Sequence, residues 1–280
     1  MNATSLTYKS PAKLNLFLHI IGRRPDGYHE LQTVFQLVDL YDTLEFSNPR
    51  AAPPGLLSLR CDQPGLPLDN NLILQAAKYL REYSNHPQYC ATIKLDKLIP
   101  TGAGLGGGSS NAAITLMALN ELWSTGLSLE QLGEIGLELG ADVPLFIRGK
   151  SAWATGVGEF LEPIELPESY YLIIWPGVAV STAEIFSQEN LTRDSSTIKI
   201  ADFLAGRVHN DCESVVRKLY PAVDEAFNWL DQFSQARLTG TGSCVFASFK
   251  DYSAASVVLA EVPGKFKGFL VKGLNQLLTP

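Results

Sequence analysis

Residues 13–20, KLNLFLHI, set Leu14, Leu16, Leu18 and Ile20 against Asn15, Phe17 and His19, a period of two that predicts a strand. RRPDGYHE follows, and Pro25-Asp26-Gly27 signals a tight turn. The period then lengthens: DNNLILQAAKYLREY (69–83) opens on asparagines suited to capping and keeps Leu74, Ala77 and Leu80 on one helical face. ATIKL (91–95) reads as a short strand leading to a glycine-rich loop, after which Ala112, Leu116, Leu119 and Trp123 hold helical spacing. Ser128 and Gln131 form an expected capping box for a second helix that stops at Gly140. Pro163, Pro167, Pro176 and Gly177 crowd the stretch 160–180, which predicts two domains, 1–163 and 164–280. Beyond it, helices are expected near 211–219, 222–233 and 253–260, with strands through SCVFASF (243–249) and GFLVKG (268–273). Strands and helices mix without a strict βαβ repeat, which favours an α+β fold over a doubly wound sheet.

Composition narrows the function classes. The chain has 280 residues, 46% hydrophobic and 18% charged, enough for two domains with buried cores. Its net charge of −7, from 22 basic and 29 acidic residues, argues against nonspecific nucleic-acid binding, which needs a basic face. Cys61, Cys90, Cys212 and Cys244 are scattered, with no C-x-x-C pair, so neither a metal cage nor a disulfide framework is expected. The first ten residues lack a signal-peptide pattern. The most apolar run, YYLIIWPGVAV, is short and broken by Pro176 and Gly177. A soluble, cytoplasmic protein without membrane contact is the expectation.

PTGAGLGGGSSNAA (100–113) places five glycines between positions 102 and 108, ahead of a helix expected to begin near Ser109. Without Cβ atoms the backbone can curl until successive N–H groups converge on an anion, and the helix N-terminus adds its own free donors. A di- or triphosphate fits such a site; a tight strand-to-helix connection is the structural alternative. The loop has no lysine after its last glycine, which excludes a Walker loop. Gly102, Gly104 and Gly107 satisfy G-x-G-x-x-G, but a second helix follows where a dinucleotide fold needs a strand ending in an acid.

P-x-G-x-G-L-G-x-x-S-S, carried by Pro100, Gly102, Gly104, Leu105, Gly106, Ser109 and Ser110, resembles the ATP loop of the GHMP kinases, the superfamily of galactokinase, homoserine kinase, mevalonate kinase and phosphomevalonate kinase. Ala103 stands where glycine or serine is commoner. SPAKLNLFLHIIGRRPDGYHEL (10–31), LGADVPLFIRG (139–149) and RLTGTGSCVFASF (237–249) resemble the branch that acts on a cytidine diphosphate-linked polyol in the non-mevalonate route to isoprenoids. The four motifs occur in register from about residue 8 to the last expected strand. The resemblance implies an N-terminal ribosomal-protein-S5-like domain and a C-terminal ferredoxin-like domain, with the active site between them. It also implies transfer of the γ-phosphoryl group of ATP, with Mg²⁺, to the tertiary 2-hydroxyl of the methylerythritol unit. A related kinase for another small alcohol, such as homoserine or mevalonate, is the alternative, and DGYHEL argues against it.

The resemblance also assigns residues. The ATP loop would comprise Pro100, Thr101, Gly102, Ala103, Gly104, Leu105, Gly106, Gly107, Gly108, Ser109 and Ser110, with Asn71 and Leu72 near the adenine. A helix cap at Asn71 would give the same letters. Lys13, a solvated strand lysine on pattern alone, becomes the cation that stabilises the transferring phosphoryl group. Asp142 is either an N-cap before Pro144 or the base that accepts the hydroxyl proton. Asn15, Tyr28, His29 and Phe186 fall to the substrate, Tyr28 and Phe186 covering the faces of the cytosine and His29 meeting its edge. Ser109 is a candidate metal ligand, and no acidic residue is an unambiguous one. TGTGS (239–243) is either a plain turn or an approach to substrate phosphates.

Overall fold

In the computed structural model, which describes residues 5–48, 52–63 and 71–277, the Pro-Asp-Gly turn joins two strands of 19 residues each, β1 (Ser5–Arg23) and β2 (His29–Ser47). Arg24 N donates to Tyr28 O at 2.8 Å and Gly27 N to Arg24 O at 3.0 Å, closing an antiparallel ribbon. The alternation within 13–20 does not separate core from solvent: every residue from Ser10 to Ile20 is buried, including Lys13, Asn15 and His19. Both faces of β1 are covered, so its polar side chains must find partners inside the protein.

β3 (Leu57–Cys61), α1 (Leu72–Tyr83) and β4 (Ala91–Asp96) follow, then α2 (Gly107–Leu122), α3 (Leu129–Leu139), α4 (Val143–Arg148), β5 (Ala152–Gly156) and β6 (Phe160–Pro163). The Asn71 side chain caps α1 by accepting from Ile73 N at 3.0 Å; Asn70 lies outside the described residues. Ile73, Ala76, Ala77 and Leu80 form the buried face of α1, so Leu74, expected there, is only half-buried. α2 starts at Gly107, two residues earlier than expected, and packs on α1 through small residues such as Ala112 and Ala113. The Ser128–Gln131 capping box of α3 forms as expected. Asp142 precedes α4 but makes no side-chain cap bond, because its backbone is already helical.

The remaining elements are β7 (Tyr170–Trp175), α5 (Thr182–Ser187), α6 (Ile200–Leu204), α7 (Glu213–Leu219), α8 (Pro221–Leu230), β8 (Arg237–Leu238), β9 (Val245–Phe249), α9 (Tyr252–Ala260) and β10 (Lys267–Leu274). Their antiparallel order β10-β7-β9-β8 puts the fourth strand beside the first and the third beside the second, the ferredoxin-like arrangement. Across the whole molecule the order is β3-β4-β2-β10-β7-β9-β8, with β1 and β5 also on β2 and β6 on β5. The link is β10, whose Gly273 and Leu274 pair with Val38 and Leu37 of β2. Among the described residues no helix is long and apolar enough to cross a membrane.

Candidate active site

The glycine loop sits where three segments meet. Lys13 N of β1 donates to Leu105 O at 3.0 Å, Val180 N to Gly102 O at 2.9 Å, and Cys244 N to Ala103 O at 3.1 Å. Thr239 Oγ1 donates to Gly104 O at 3.2 Å and accepts from Asn15 N at 3.0 Å. TGTGS therefore packs directly on the loop, and its Gly240 and Thr241 line the cleft beside it. Gly104 and Gly106 have φ of +74° and +70°. A Cβ on Gly104 would lie 2.2 Å from the Thr239 carbonyl oxygen, and one on Gly106 2.9 Å from Phe146 Cζ and 3.0 Å from Lys13 Cγ. These glycines thus serve close packing of the loop against the protein as well as its exposed backbone. Gly106 caps α2 without a side-chain bond, and the first cap bond inside the helix is Ser110 N to Gly106 O at 2.9 Å. The N–H groups of Gly107, Gly108 and Ser109 stand at the positive end of the helix dipole.

The cleft over this helix end has a volume of about 510 Å³. Residues 100–109 line it, as do Lys13, Asn15, Asn71, Leu72 and Asp142. Ser110 does not: it is fully buried, and its hydroxyl accepts from Ser10 Oγ at 2.7 Å, so the second serine of the motif braces the core. Lys97 and Asn111 are lining residues that sequence reasoning missed. Asp42, fully buried, accepts from Lys97 Nζ at 2.8 Å, from Leu98 N and Ile99 N at 2.8 Å each, and from Asn111 Nδ2 at 2.9 Å. This carboxylate fixes both the entry to the glycine loop and the first turns of α2. Burial pulls the Lys97 pKa down, against the attraction of Asp42. Asn111 Oδ1 is buried without a partner among the described residues, although its residue lines the cleft. The sole sequence signal was Asp42 itself, one of two acids in the largely apolar LVDLYDTL.

Lys13 is 4% exposed. Its ammonium donates to Asn15 Oδ1 at 2.5 Å and Gly104 O at 3.0 Å, and lies 3.5 Å from Asp142 Oδ2. Two of its three donors are thereby committed to hydrogen bonds, and the carboxylate of Asp142 stands beside it at ion-pair distance. The Asp142 side chain is 30% exposed and open to the cleft. Asn15 is held in turn by its donation to Thr33 Oγ1 at 3.0 Å.

A second cavity, of about 620 Å³, adjoins the first and shares Leu31, Ser109, Asp142, Val157, Thr182 and Phe186 with it. Tyr28, His29 and Arg23 line its far end. His29 and Phe186, 157 positions apart in the chain, stack with centroids 4.7 Å apart and an interplanar angle of 22°. Tyr28 is 65% exposed and makes no ring contact among the described residues. The three aromatic residues share one cavity, but His29 already lies against Phe186 rather than apart from it. Burial, with the positive charges of Arg193 and Arg23, lowers the His29 pKa. Among the described residues no group of three or more histidine, cysteine or acidic side chains could hold a metal ion.

Residues 71–150 match the GHMP kinases N terminal domain and residues 189–268 the GHMP kinases C terminal domain. The chain is 53% identical to the 4-diphosphocytidyl-2-C-methyl-D-erythritol kinase of Nitrosococcus oceani over 273 residues, 98% of this chain and 96% of that one. It is 50% identical to the protein of the same name from Hahella chejuensis over 286 residues, 99% and 96% of the two chains. Among solved structures it is similar to a crystal structure of 4-(cytidine 5'-diphospho)-2C-methyl-D-erythritol kinase, with a TM-score of 0.80 and 29% identity over 96% of this chain and 99% of that one. A crystal structure of mevalonate kinase shares the fold, with a TM-score of 0.70 at 19% identity over 97% and 100% of the two chains.

Proposed function

The chain belongs to the 4-diphosphocytidyl-2-C-methyl-D-erythritol kinases of the GHMP superfamily, and from that premise we propose how its two cavities divide the reaction. The enzyme is an ATP-dependent small-molecule kinase that phosphorylates the 2-hydroxyl of 4-diphosphocytidyl-2-C-methyl-D-erythritol. The nucleotide occupies the glycine-loop cleft and the cytidyl substrate the adjoining cavity. The observation that carries this reading is the position of Asp142 and Ser109, which line both cavities where they meet.

ATP places its phosphates on the N–H groups of Gly107, Gly108 and Ser109 and its adenine towards Asn71, Leu72 and Asn111. Asp142 takes the proton of the 2-hydroxyl as that oxygen attacks the γ-phosphorus, and the Lys13 ammonium, 3.5 Å away, stabilises charge on the transferring group. The Asn15 and Gly104 acceptors aim that ammonium before substrate arrives, so it needs no reorganisation during transfer. Mg²⁺ carried by the nucleotide would neutralise phosphate charge, and the Ser109 hydroxyl is the oxygen donor beside the phosphate site that would help to hold it. Stacking by Tyr28 and Phe186 and an edge contact from His29 select the cytosine.

The switch of strand partners between β6 and β7 supports a division into domains 1–163 and 164–280. Four free thiols, two of them buried, suit a reducing compartment and hence the cytoplasm. The experiment is a coupled ADP-release assay with the cytidyl substrate beside homoserine and mevalonate. Turnover of the cytidyl substrate alone is expected; equal turnover of either competitor would refute the assignment of the second cavity.

A further inference from the structure

Arg193 lies on the loop that leaves α5. Its Nη1 donates to Leu191 O at 3.1 Å and its Nη2 to Phe186 O at 2.9 Å and Gln188 O at 2.7 Å. These bonds wrap the loop around the guanidinium and fix the backbone that carries Phe186. Its Nε donates to Nε2 of His29 at 3.0 Å.

That last contact constrains the histidine chemically. A guanidinium has no acceptor and keeps its proton, so His29 Nε2 must accept. An imidazole accepting at Nε2 is neutral and carries its proton on Nδ1. Burial and the two arginines push its pKa in the same direction. The Phe186 ring stacked on it holds the imidazole plane. Nδ1 has no hydrogen-bond partner among the described residues, and the side chain lines the second cavity.

We propose that Arg193 is a specificity-determining positioning residue, which fixes the Nδ1–H tautomer of His29 and so makes it a hydrogen-bond donor to the base. This rests on the reading of His29 as the contact to the cytosine edge. O2 is an acceptor in both pyrimidines and cannot tell them apart. N3 can: it is a bare acceptor in cytosine and an N–H in uracil. An Nδ1–H donor pairs with cytosine N3 and meets uracil N3–H donor to donor. An unrestrained neutral imidazole can place its proton on either nitrogen, and the other tautomer would welcome uracil. The preference is thus set one residue away from the base, by a side chain that does not touch it.

The test uses the full chain labelled with ¹⁵N-histidine, in which the His29 resonances are assigned by comparison with His29→Ala. NMR at neutral pH should find wild-type His29 protonated at Nδ1 only; an Nε2–H tautomer or an imidazolium overturns the proposal without any variant. Arg193→Met should let the Nε2–H form appear and lower the cytidyl-to-uridyl ratio of kcat/KM by about tenfold or more. An unchanged tautomer and ratio in Arg193→Met would reduce Arg193 to a loop brace. Should that variant fail to fold, Arg193→Gln, whose amide can accept as well as donate and so leaves either tautomer open, is read in the same way. His29→Ala separates the two levels. If it narrows the base preference and the Arg193 variants do not, the proposal alone fails. If it leaves the preference intact, the histidine is not the reader and both fall.

Discussion

Replacing Gly106 with alanine should impair turnover more than it impairs folding. The residue has φ +70° and ψ +13°, and an L-residue in the left-handed region costs roughly 1–2 kcal/mol. Its Cβ would stand 2.9 Å from Phe146 Cζ and 3.0 and 3.1 Å from Lys13 Cγ and Cε. Phe146 is fully buried and cannot withdraw, so the lysine stem must give. That stem carries the ammonium set between Asn15, Gly104 and Asp142. A misplacement of about 1 Å at a reacting group costs on the order of 10²-fold, and a shift of a few tenths of that should cost about tenfold in kcat. The conformational penalty corresponds to a Tm lower by about 2–8 °C for a chain of this size. Gly133→Ala is the matched control. Gly133 lies inside α3, away from both cavities, and a Cβ there meets nothing within 4 Å. It should gain up to about 1 kcal/mol of helix propensity and leave kcat and the ATP KM unchanged. Thermal melts and ADP-release kinetics on both variants decide the matter. Full turnover in Gly106→Ala, or equal loss in Gly133→Ala, would refute the link between this glycine and Lys13.

Asp142→Asn keeps the shape and removes the base, so turnover should fall by about 10² or more with little change in substrate KM; near-normal turnover would deny Asp142 the proton. Lys13→Met should lower kcat likewise. Asp42→Asn leaves the Lys97 ammonium buried without its counter-charge, and urea titration should find the protein less stable by about 3–5 kcal/mol; an unmoved midpoint would mean that this carboxylate anchors nothing. Burial, followed by the His209 ring, depresses the His19 pKa below its ordinary 6.5. The unfolded chain then binds the proton more readily, so this contribution to stability is complete above pH 6.5 and drains away as pH falls towards the folded value. The Tm should drop with acidification below pH 6.5, and His19→Phe should flatten that drop. Tyr28→Ala should weaken cytidyl and uridyl analogues alike in a competition assay, since stacking is indifferent to the base edge, whereas Phe186→Ala, which also removes the ring stacked on His29, should weaken both and narrow the preference between them.

The glycine loop, the turn at Pro25-Asp26-Gly27, the Ser128 capping box and most of the C-terminal elements were legible in the sequence because each depends on local chemistry: a backbone angle, a cap, a run of one periodicity. What stayed hidden depends on distant partners. Ser110 matches its motif perfectly in letters, yet Ser10, a hundred residues earlier, turns its hydroxyl inward. Asp142 looked like a cap because Asp-x-Pro so often is one, and only the fold could bring Lys13 beside it. The Asp42–Lys97–Asn111 network joins three elements through one carboxylate, and Arg193 reads as a loop cation until it is seen against His29. Strand β1 misled in a different way: alternation implies one wet face, and here helices and sheet cover both.

The pairing of β10 with β2 bears on how the molecule assembles. The strand at the centre of the path β3-β4-β2-β10-β7-β9-β8 is the last of the described strands in the chain. Until it docks, β7 keeps an open edge, the kind of surface that invites pairing with other chains, and β2 a short unpaired stretch at Leu37 and Val38 between its pairings with β5 and β4. Its arrival also brings Leu274 O to Gln36 Nε2 and Asn275 O to Ser151 N, bonds that span more than a hundred residues. Such late, long-range closure slows folding. The glycine loop can form its own turn early, but the TGTGS turn clamped against it belongs to the part that β10 ties in. The last strand to be made is therefore the one that turns two half-sheets into one cleft, and a chain that lost it would be left with sticky edges as well as without an active site.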